Sequence, residues 1–134
     1  MTEQAAVLFA NDTFYVAFAT CDYPAMEEAW SRRWSVSCIH PGWNALAGRE
    51  PVMESWRAIL SSPKAPRIGC RGAVAHVLGD SAYVICYEVV DGNFLVATNV
   101  FVREDGGWKM VHHQAGATSP PPPEDADEEP RSLQ

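Results

Sequence analysis

Four runs of mostly apolar residues lie between Gly72 and Gly116, and each run is hydrophobic at alternate positions. A period of two predicts β-strands, because successive side chains of a strand point to opposite sides of the sheet. Short turn signals separate the runs, at Gly79-Asp80, Asp91-Gly92 and Asp105-Gly106-Gly107. We therefore predict four antiparallel strands joined by tight turns.

Both sides of these strands are largely apolar, so neither side is expected to face water. An antiparallel sheet normally alternates apolar with solvated positions, which implies that helices cover one side and another layer covers the other. In so short a chain, the second layer is most simply another copy of itself. We expect a homodimer through an outer sheet face larger than monomers usually expose. That face is predicted to comprise Tyr83, Tyr87, Val96, Thr98, Val100, Trp108 and Met110.

The N-terminal half instead shows the three- and four-residue spacing of amphipathic helices. A first helix is predicted from about Glu3 to Thr20, and a second follows Asp22, which is suited to cap it. A strand at about residues 35–39 comes next, and Gly48 and Pro51 open a third helix. This order predicts the α+β class, with three helices packed on an antiparallel sheet. Alternation along the first strand places on one side Trp34, Val36, Cys38 and His40.

The chain has 134 residues and a formal charge of -7, which is unevenly distributed. The last seventeen residues, Thr118 to Gln134, hold five acids, one base and four consecutive prolines, so the remaining body has twelve acids and nine bases. We predict a folded domain over 1–117 and a disordered, acidic, proline-rich tail over 118–134. The body is only mildly acidic, which argues against binding to nucleic acid or to an anionic membrane.

Several classes of protein are disfavoured by what the sequence lacks. No apolar stretch reaches the roughly 18 residues of a membrane span, and the N-terminus does not resemble a secretion signal, so we expect a cytoplasmic protein. The four cysteines are far apart and are expected to be reduced and mostly buried, the alternative being a nucleophilic thiol paired with a histidine. The histidines lack metal-ligand spacing, and we expect neither a metal nor a cofactor.

Polar residues in the middle of apolar strands are the main candidates for a functional site. Glu88, Asn99 and His113 each stand within such a run, and His40 ends the first strand. Their alternation predicts that Glu88, Asn99 and His40 face one cavity, with His113 sharing the inward side. We expect three aromatic side chains to roof this cavity: Phe14, Trp43 and Trp56.

An imidazole near a carboxylate in an apolar pocket can act as a general base, with the Asn99 amide holding an oxygen on which charge develops. This chemistry suits isomerisation, dehydration or hydrolysis of a small apolar substrate. Each residue also has a structural interpretation. His40 before a proline is often a turn residue, Glu88 can pair with Arg71 across strands, and buried tryptophans are usually core. His112 lies on the outer side and is assigned to the interface.

Several short motifs occur in the order found in one superfamily. They are Gly79-Asp80-Ser81-Ala82, Asp105-Gly106-Gly107-Trp108-Lys109, Val111-His112, Ala115-Gly116-Ala117, and His40-Pro41-Gly42-Trp43 followed by Gly48. With them the chain resembles the nuclear transport factor 2-like superfamily. This superfamily includes ketosteroid isomerase, SnoaL-like polyketide cyclases and the association (hub) domain of calcium/calmodulin-dependent protein kinase II. The resemblance implies a cone-shaped, curled sheet around a pocket, but it does not imply one activity.

The resemblance also suggests roles for individual residues. His40 falls where the isomerase has its general base and the hub domain a pocket glutamate, so a base of another kind is retained. The isomerase's oxyanion tyrosine falls near Phe14, with Tyr15 one residue away, and its second donor falls near Asn99. Glu88, Asn99 and Ala115 replace pocket arginines of the hub domain, which disfavours capture of an anionic ligand.

Two classes of function remain open from the sequence. In the first, the chain binds a small, largely apolar metabolite in its pocket and transfers protons through His40. In the second, it is a non-catalytic self-association module that resembles the kinase hub. A cavity filled by its own side chains would favour the second class.

Overall fold

The computed structural model describes residues 1–65 and 67–121, and most of the predicted tail, residues 122–134, lies outside the described residues. Three helices come first: α1 (Glu3–Ala19), α2 (Tyr23–Ala29) and α3 (Arg49–Ser61). The side chains of Thr2 and Asp22 cap the first two by accepting hydrogen bonds from backbone amides. The helices predicted from the spacing are thus confirmed. Within the described residues no helix combines the length and apolar character that crossing a bilayer requires.

Six strands form one curled, unclosed sheet. They are β1 (Ser37–Ile39), β2 (Leu46–Ala47), β3 (Ile68–Leu78), β4 (Ser81–Val90), β5 (Asn93–Glu104) and β6 (Gly107–Ala117). Their spatial order is β2-β1-β6-β5-β4-β3, and every neighbouring pair is antiparallel except β1 and β6. The α+β class and the four-strand meander are confirmed, whereas the short strand β2 was not predicted.

The helices cover one side of the sheet, here called the inner side. Helix α1 packs against strands from both ends of the meander, β3 and β6, so the sheet curls around it. Inward residues of β4 are buried at alternate positions, as a period of two requires: Ala82, Val84, Cys86 and Glu88. The opposite side, here called the outer side, is half-buried on β4 and most of β5.

A β-bulge in β6 changes which residues face inward. Val100 pairs with His112, but Phe101 pairs with Met110, so Val111 is an extra residue on β6. Trp108 and Met110 before the bulge therefore lie inward and are buried, as do His113 and Ala115 after it. The prediction that Trp108 and Met110 belong to the outer face is wrong, because strict alternation does not hold across a bulge.

Trp34 also departs from its predicted position. Val36, Cys38 and His40 are buried, whereas Trp34 is 58% exposed. Residues 32–35 form no strand, so the alternation of β1 does not extend back to Trp34.

Arg49 joins helix α3 to the end of helix α2. Its guanidinium donates hydrogen bonds to the carbonyl oxygens of Glu27, Trp30 and Ser31, at 2.8, 3.0 and 3.0 Å. The last carbonyls of a helix lack partners within the helix, and a cation is favourable at this end. Arg49 thus fixes the chain where it leaves α2 and turns toward β1.

We expect Arg49→Ala to lower the free energy of unfolding by about 2 kcal/mol, because three carbonyls lose a charged donor. Arg49→Lys should lower the free energy of unfolding by less, because lysine keeps the positive charge. Some loss should remain, because lysine lacks the planar guanidinium that donates to several carbonyls at once. Urea denaturation of the three proteins measures both values. Equal stability of Arg49→Ala and the wild type would show that the contact does not hold the two helices.

Candidate functional site

The candidate residues come from four elements that meet on the inner side of the sheet. Helix α1 places Asn11 and Tyr15 one turn apart, so that both point toward the strands. Strand β4 contributes Glu88, and strands β5 and β6 contribute the directly paired Asn99 and His113. Each of these five residues is at most 5% exposed. We call them the polar cluster.

Asn99 makes three of the hydrogen bonds that hold the polar cluster together. Its Nδ2 donates to Oδ1 of Asn11 at 2.8 Å and to the hydroxyl of Tyr15 at 3.1 Å. With both amide hydrogens used, its Oδ1 faces Nδ1 of His113 at 2.6 Å. Because a carbonyl oxygen only accepts, Nδ1 of His113 carries the hydrogen. This contact fixes the tautomer of a neutral His113.

Glu88 closes the cluster on the opposite side. The Tyr15 hydroxyl donates to its Oε2 at 2.6 Å, and the same Oε2 lies 3.7 Å from Nε2 of His113. In neutral His113 this Nε2 is the nitrogen with a lone pair. A carboxyl group therefore faces a basic nitrogen across a short gap, in a part of the molecule with almost no solvent exposure.

Burial opposes charge on both of these groups. It raises the pKa of Glu88, an effect that the Tyr15 hydrogen bond partly offsets. Burial, followed by the nearby imidazoles of His40 and His112, lowers the pKa of His113 to about 3. The pKa of Tyr15 is raised well above its usual value by burial and then by Glu88. The 3.7 Å between Oε2 of Glu88 and Nε2 of His113 is within ion-pair range. We nevertheless assign a neutral imidazole to His113, because burial disfavours its charged form.

His40 lies beside the cluster, in the loop after β1. Its ring centroid is 6.5 Å from that of His113, and its Nε2 is 2.9 Å from the hydroxyl of Ser55 on α3. That hydroxyl gives its single hydrogen to the carbonyl of Val52 at 2.7 Å, so Nε2 of His40 is the donor. Its Nδ1 is left with the lone pair. Burial lowers the pKa of His40 to about 4, which keeps the ring neutral.

Aromatic rings surround the two histidines. Trp56 lies 4.8 Å from His40 between ring centroids, and Phe14 lies 5.0 Å from His113. Trp43 packs edge-on against His40 at 4.8 Å but is 47% exposed, so it covers the site from the solvent side. Phe14 and Trp56 are fully buried, and they are part of the core as well as the roof that was predicted.

The cluster is filled by side chains, so the open pocket expected around these residues is not found in the described part of the chain, and this outcome by itself favours the self-association class. Three depressions on the described surface, with volumes of about 660, 460 and 590 Å³, are lined by other residues. The indole Nε1–H groups of Trp56 and Trp30 are buried and meet no acceptor among the described residues. Because buried donors are rarely left unpaired, the one on Trp56, next to His40, is available to an incoming acceptor.

The structure brings together most of the residues singled out in the sequence. Glu88, Asn99, His113 and Tyr15 are in direct contact, and His40 adjoins them. Sequence reasoning missed Asn11 and Ser55, although the position of Asn11 four residues after Val7, on the apolar face of the predicted helix, was a usable signal. The alternative partner of Glu88, Arg71, pairs in register with Tyr87, and its guanidinium lies 5.6 Å from the ring of Phe94.

Three of the four cysteines, Cys38, Cys70 and Cys86, contact the cluster or His40, and none of the four forms a disulfide. Cys38 and Cys86 are buried, Cys70 is half-buried and Cys21 is exposed. Burial raises the pKa of the Cys38 thiol to about 12, so a thiolate nucleophile next to His40 is disfavoured.

A family model for the SnoaL-like domain matches residues 7–120. The chain belongs to the SnoaL-like domain family. Among solved structures, this SnoaL-like domain is similar to a protein from Streptomyces avermitilis described as a candidate dehydratase of the NTF2-like family. The two share 30% identity over 88% of this chain and 97% of that one, with a TM-score of 0.80. The predicted membership of the nuclear transport factor 2-like superfamily is thereby confirmed.

Two further relatives bear on the second class of function. A candidate association domain of calcium/calmodulin-dependent protein kinase type II from Thiobacillus denitrificans is 32% identical over 82% of this chain and 93% of that one, with a TM-score of 0.73. The F-box protein SKIP8 of Arabidopsis thaliana is 29% identical over 112 residues, which is 82% of this chain and 48% of that protein. The chain thus spans about half the length of this curated relative.

We expect His40 to make the domain sensitive to acid. Its pKa is about 4 when folded, against 6.5 normally, so between these values the unfolded chain binds a proton that the folded chain resists. The contribution of His40 to stability is complete above pH 6.5 and is lost as the pH falls toward 4, by up to about 3 kcal/mol. Urea denaturation at pH 7.5, 5.5 and 4.5 measures this loss.

His40→Gln is the matched control, because glutamine retains a donor near the position of Nε2 but does not titrate. The stability difference between wild type and variant should shrink as the pH falls. Glu88 and His113 are present in both proteins, so the difference isolates the titration of His40 together with its charge effect on His113. Parallel profiles for the two proteins would show that His40 is not the titrating group.

Proposed function

We propose that this SnoaL-like domain binds a small, largely apolar metabolite at the polar cluster and transfers a proton on it. Glu88 and His113 are the acid and base, Asn99 and Tyr15 orient them, and His40 acts from the solvent side. The reaction belongs to the isomerase, dehydratase or hydrolase type. Such reactions need a group that gives a proton and another that takes it within one water-free site.

The observation that carries this proposal is the carboxyl of Glu88 held 3.7 Å from the basic nitrogen of His113 in the interior. Burying two ionisable groups is costly, and well-packed apolar residues in their place are often more stable. A module that only associates with itself would gain nothing from this cost. Groups whose pKa values are strongly shifted by burial are concentrated at sites of chemistry.

Access to the cluster is proposed to occur through the loop that follows β1. Pro41, Gly42 and Trp43 are exposed, and the Trp43 ring lies against His40. Movement of this ring would uncover Nδ1 of His40 and let a ligand displace the side-chain packing below it. Trp56 then supplies a ready hydrogen-bond donor through its unpaired indole N–H. The similarity to a candidate dehydratase supports the same class of reaction.

The test uses wild type, Glu88→Gln, and Glu50→Gln as a matched control on the exposed surface of α3. A thermal-shift screen with cyclic and aromatic ketones and hydroxyketones identifies binders. NMR in D₂O then follows exchange of the hydrogen next to the carbonyl. We expect Glu88→Gln to bind with similar affinity but to exchange at least about 100-fold more slowly, because it removes the transferable proton.

Glu88→Gln should fold at least as stably as the wild type at pH 8. Burial raises the pKa of Glu88, so its ionised form opposes folding at high pH, and glutamine removes that charge. Loss of exchange therefore cannot be attributed to unfolding. Exchange at the wild-type rate in Glu88→Gln would exclude this residue from the reaction, and a wild type that binds no compound of the panel would count against the ligand class.

A second function, self-association through the outer side of the sheet, is favoured by a separate observation. The outward side chains of β4 and β5 are apolar or uncharged through their middle portions: Tyr83, Ile85, Tyr87, Val96, Thr98 and Val100. A contiguous surface of this kind marks an interface more often than a solvated face. The similarity to an association domain supports this role, which is compatible with a binding site on the inner side.

We expect the wild type to have a solution mass of two chains and Val96→Asp to have a mass of one, because a charge would be buried at the interface. Val16→Asp is the matched control, since Val16 on α1 is 59% exposed and lies in the helical layer. Light scattering coupled to gel filtration measures these masses. A wild type that runs as a single chain at 100 μM would refute the association.

A further inference from the structure

Two cysteines on the inner side of the sheet have no part in the functions proposed above. Cys70 on β3 is half-buried, and Cys86 on β4 is fully buried. Cys70 pairs in register with Glu88, and Cys86 precedes Glu88 by two residues, so both cysteines lie on the same side of neighbouring strands. Side chains in this diagonal relation are close enough to meet. The two thiols are hydrogen-bonded to each other.

The polar cluster holds both sulfur atoms in place. Nδ2 of Asn11 donates a hydrogen bond to Sγ of Cys70 at 3.8 Å, and Nδ2 of Asn99 lies at the same distance from Sγ of Cys86. The two asparagines are themselves joined by a hydrogen bond of 2.8 Å. A pair of linked amides therefore contacts a pair of sulfurs, and this arrangement keeps the two cysteines side by side.

The direction of the hydrogen bonds follows from Tyr15. Its hydroxyl gives its hydrogen to Glu88, so its contact of 3.3 Å with Cys86 uses the hydrogen of the thiol. Sγ of Cys86 then accepts from the thiol of Cys70. This hydrogen bond lowers the pKa of Cys86, which burial opposes, and it raises the pKa of Cys70 together with burial. Cys86 is the better nucleophile of the pair, because the thiolate is the reactive form of cysteine.

The backbone beside the pair can adjust to bring the sulfurs closer. A disulfide needs Cα atoms within about 6.8 Å, whereas diagonal neighbours on regular strands are about 7–8 Å apart. A β-bulge follows Cys70 directly, where Gly72 and Ala73 both oppose Cys86. In the described sheet β3 is also an edge strand, bonded to β4 on one side only. The chain at Cys70 can therefore move toward Cys86 without breaking a second ladder of hydrogen bonds.

We propose that Cys70 and Cys86 form an oxidation site, at which a peroxide converts the two thiols to a reversible disulfide. The thiolate of Cys86 takes one oxygen from hydrogen peroxide and becomes a sulfenic acid. The other oxygen leaves as hydroxide and takes up the proton that the thiol released, which gives water. The thiol of Cys70 then attacks the oxidised sulfur, and a second water leaves. Two thiols and one peroxide thus give one disulfide and two waters, and a dithiol reductant restores the thiols.

Oxidation at this site changes the polar cluster. The S–H of Cys86 that donates to Tyr15 is lost, and the amides that contact the sulfurs meet a disulfide instead of two thiols. In NMR spectra the side-chain amide signals of Asn11 and Asn99 should therefore shift on oxidation, whereas that of the exposed Asn44 should not. A disulfide with no such shift would refute the effect on the cluster. The disulfide also closes a loop between β3 and β4 and should raise the urea midpoint of unfolding.

The test of the disulfide uses the full chain with Cys21→Ser, because the exposed thiol of Cys21 can link separate chains. The folded protein is treated with hydrogen peroxide, and its remaining thiols are blocked with iodoacetamide. Trypsin then cuts after Arg71 and separates the two cysteines into peptides 68–71 and 72–103. We expect mass spectrometry to find these two peptides joined, with the mass of two hydrogens lost, and dithiothreitol to release them.

The fold itself should accelerate formation of the disulfide. We expect the joined peptides to form at least about 10-fold faster in the folded protein than in concentrated urea, because the fold holds the two sulfurs in contact. Cys38→Ala in the same protein is the matched control, since Cys38 is buried on the inner side but contacts His40, and it should leave the rate unchanged. Equal rates in folded and unfolded chains would overturn the proposal, as would a folded protein that links Cys38 instead or that joins no peptides.

Discussion

The structure of the candidate site depends on the side-chain amide of Asn99. It uses both hydrogens and its oxygen at once, bonding Asn11, Tyr15 and His113 at distances from 2.6 to 3.1 Å. Buried amides that make all their hydrogen bonds have only one orientation, and they pass this constraint on to their partners. The tautomer of His113 and the direction in which Tyr15 donates both follow from it. The short contact between Tyr15 and Glu88 is the last step of the same sequence of bonds.

The bulge in β6 makes room for this arrangement. Before Val111 the strand turns the large apolar side chains of Trp108 and Met110 inward, and after it the inward positions are His113 and Ala115. The interior is thereby divided into an apolar end near Trp30 and a polar end near His113. Without the extra residue, alternation from Met110 would place His112 inward in place of His113. One inserted residue thus determines which histidine lies in the site.

The sequence predicted the helices, the four long strands and the inward side of Glu88 and Asn99, because a period of two or of about 3.6 depends only on local geometry. It could not predict the positions of Trp108 and Met110, since a bulge changes the phase and leaves no clear trace in a single sequence. Strand β2 has two residues and no periodicity to detect. Asn11 was overlooked because a polar residue on a helix is usually solvated, and its burial depends on a strand about ninety residues later.

The two sides of the sheet are linked through the backbone of the strands they share. Tyr87 and Glu88 are consecutive residues of β4, one on the outer side and the other in the polar cluster. Proton transfer requires that donor and acceptor be held within a fraction of an ångström, which a strand achieves only if it is packed on both sides. Helix α1 supplies one layer. The proposed association of two copies would supply the other, so the proposed dimer contact and the proposed reactive site, on opposite sides of β4, would support each other mechanically.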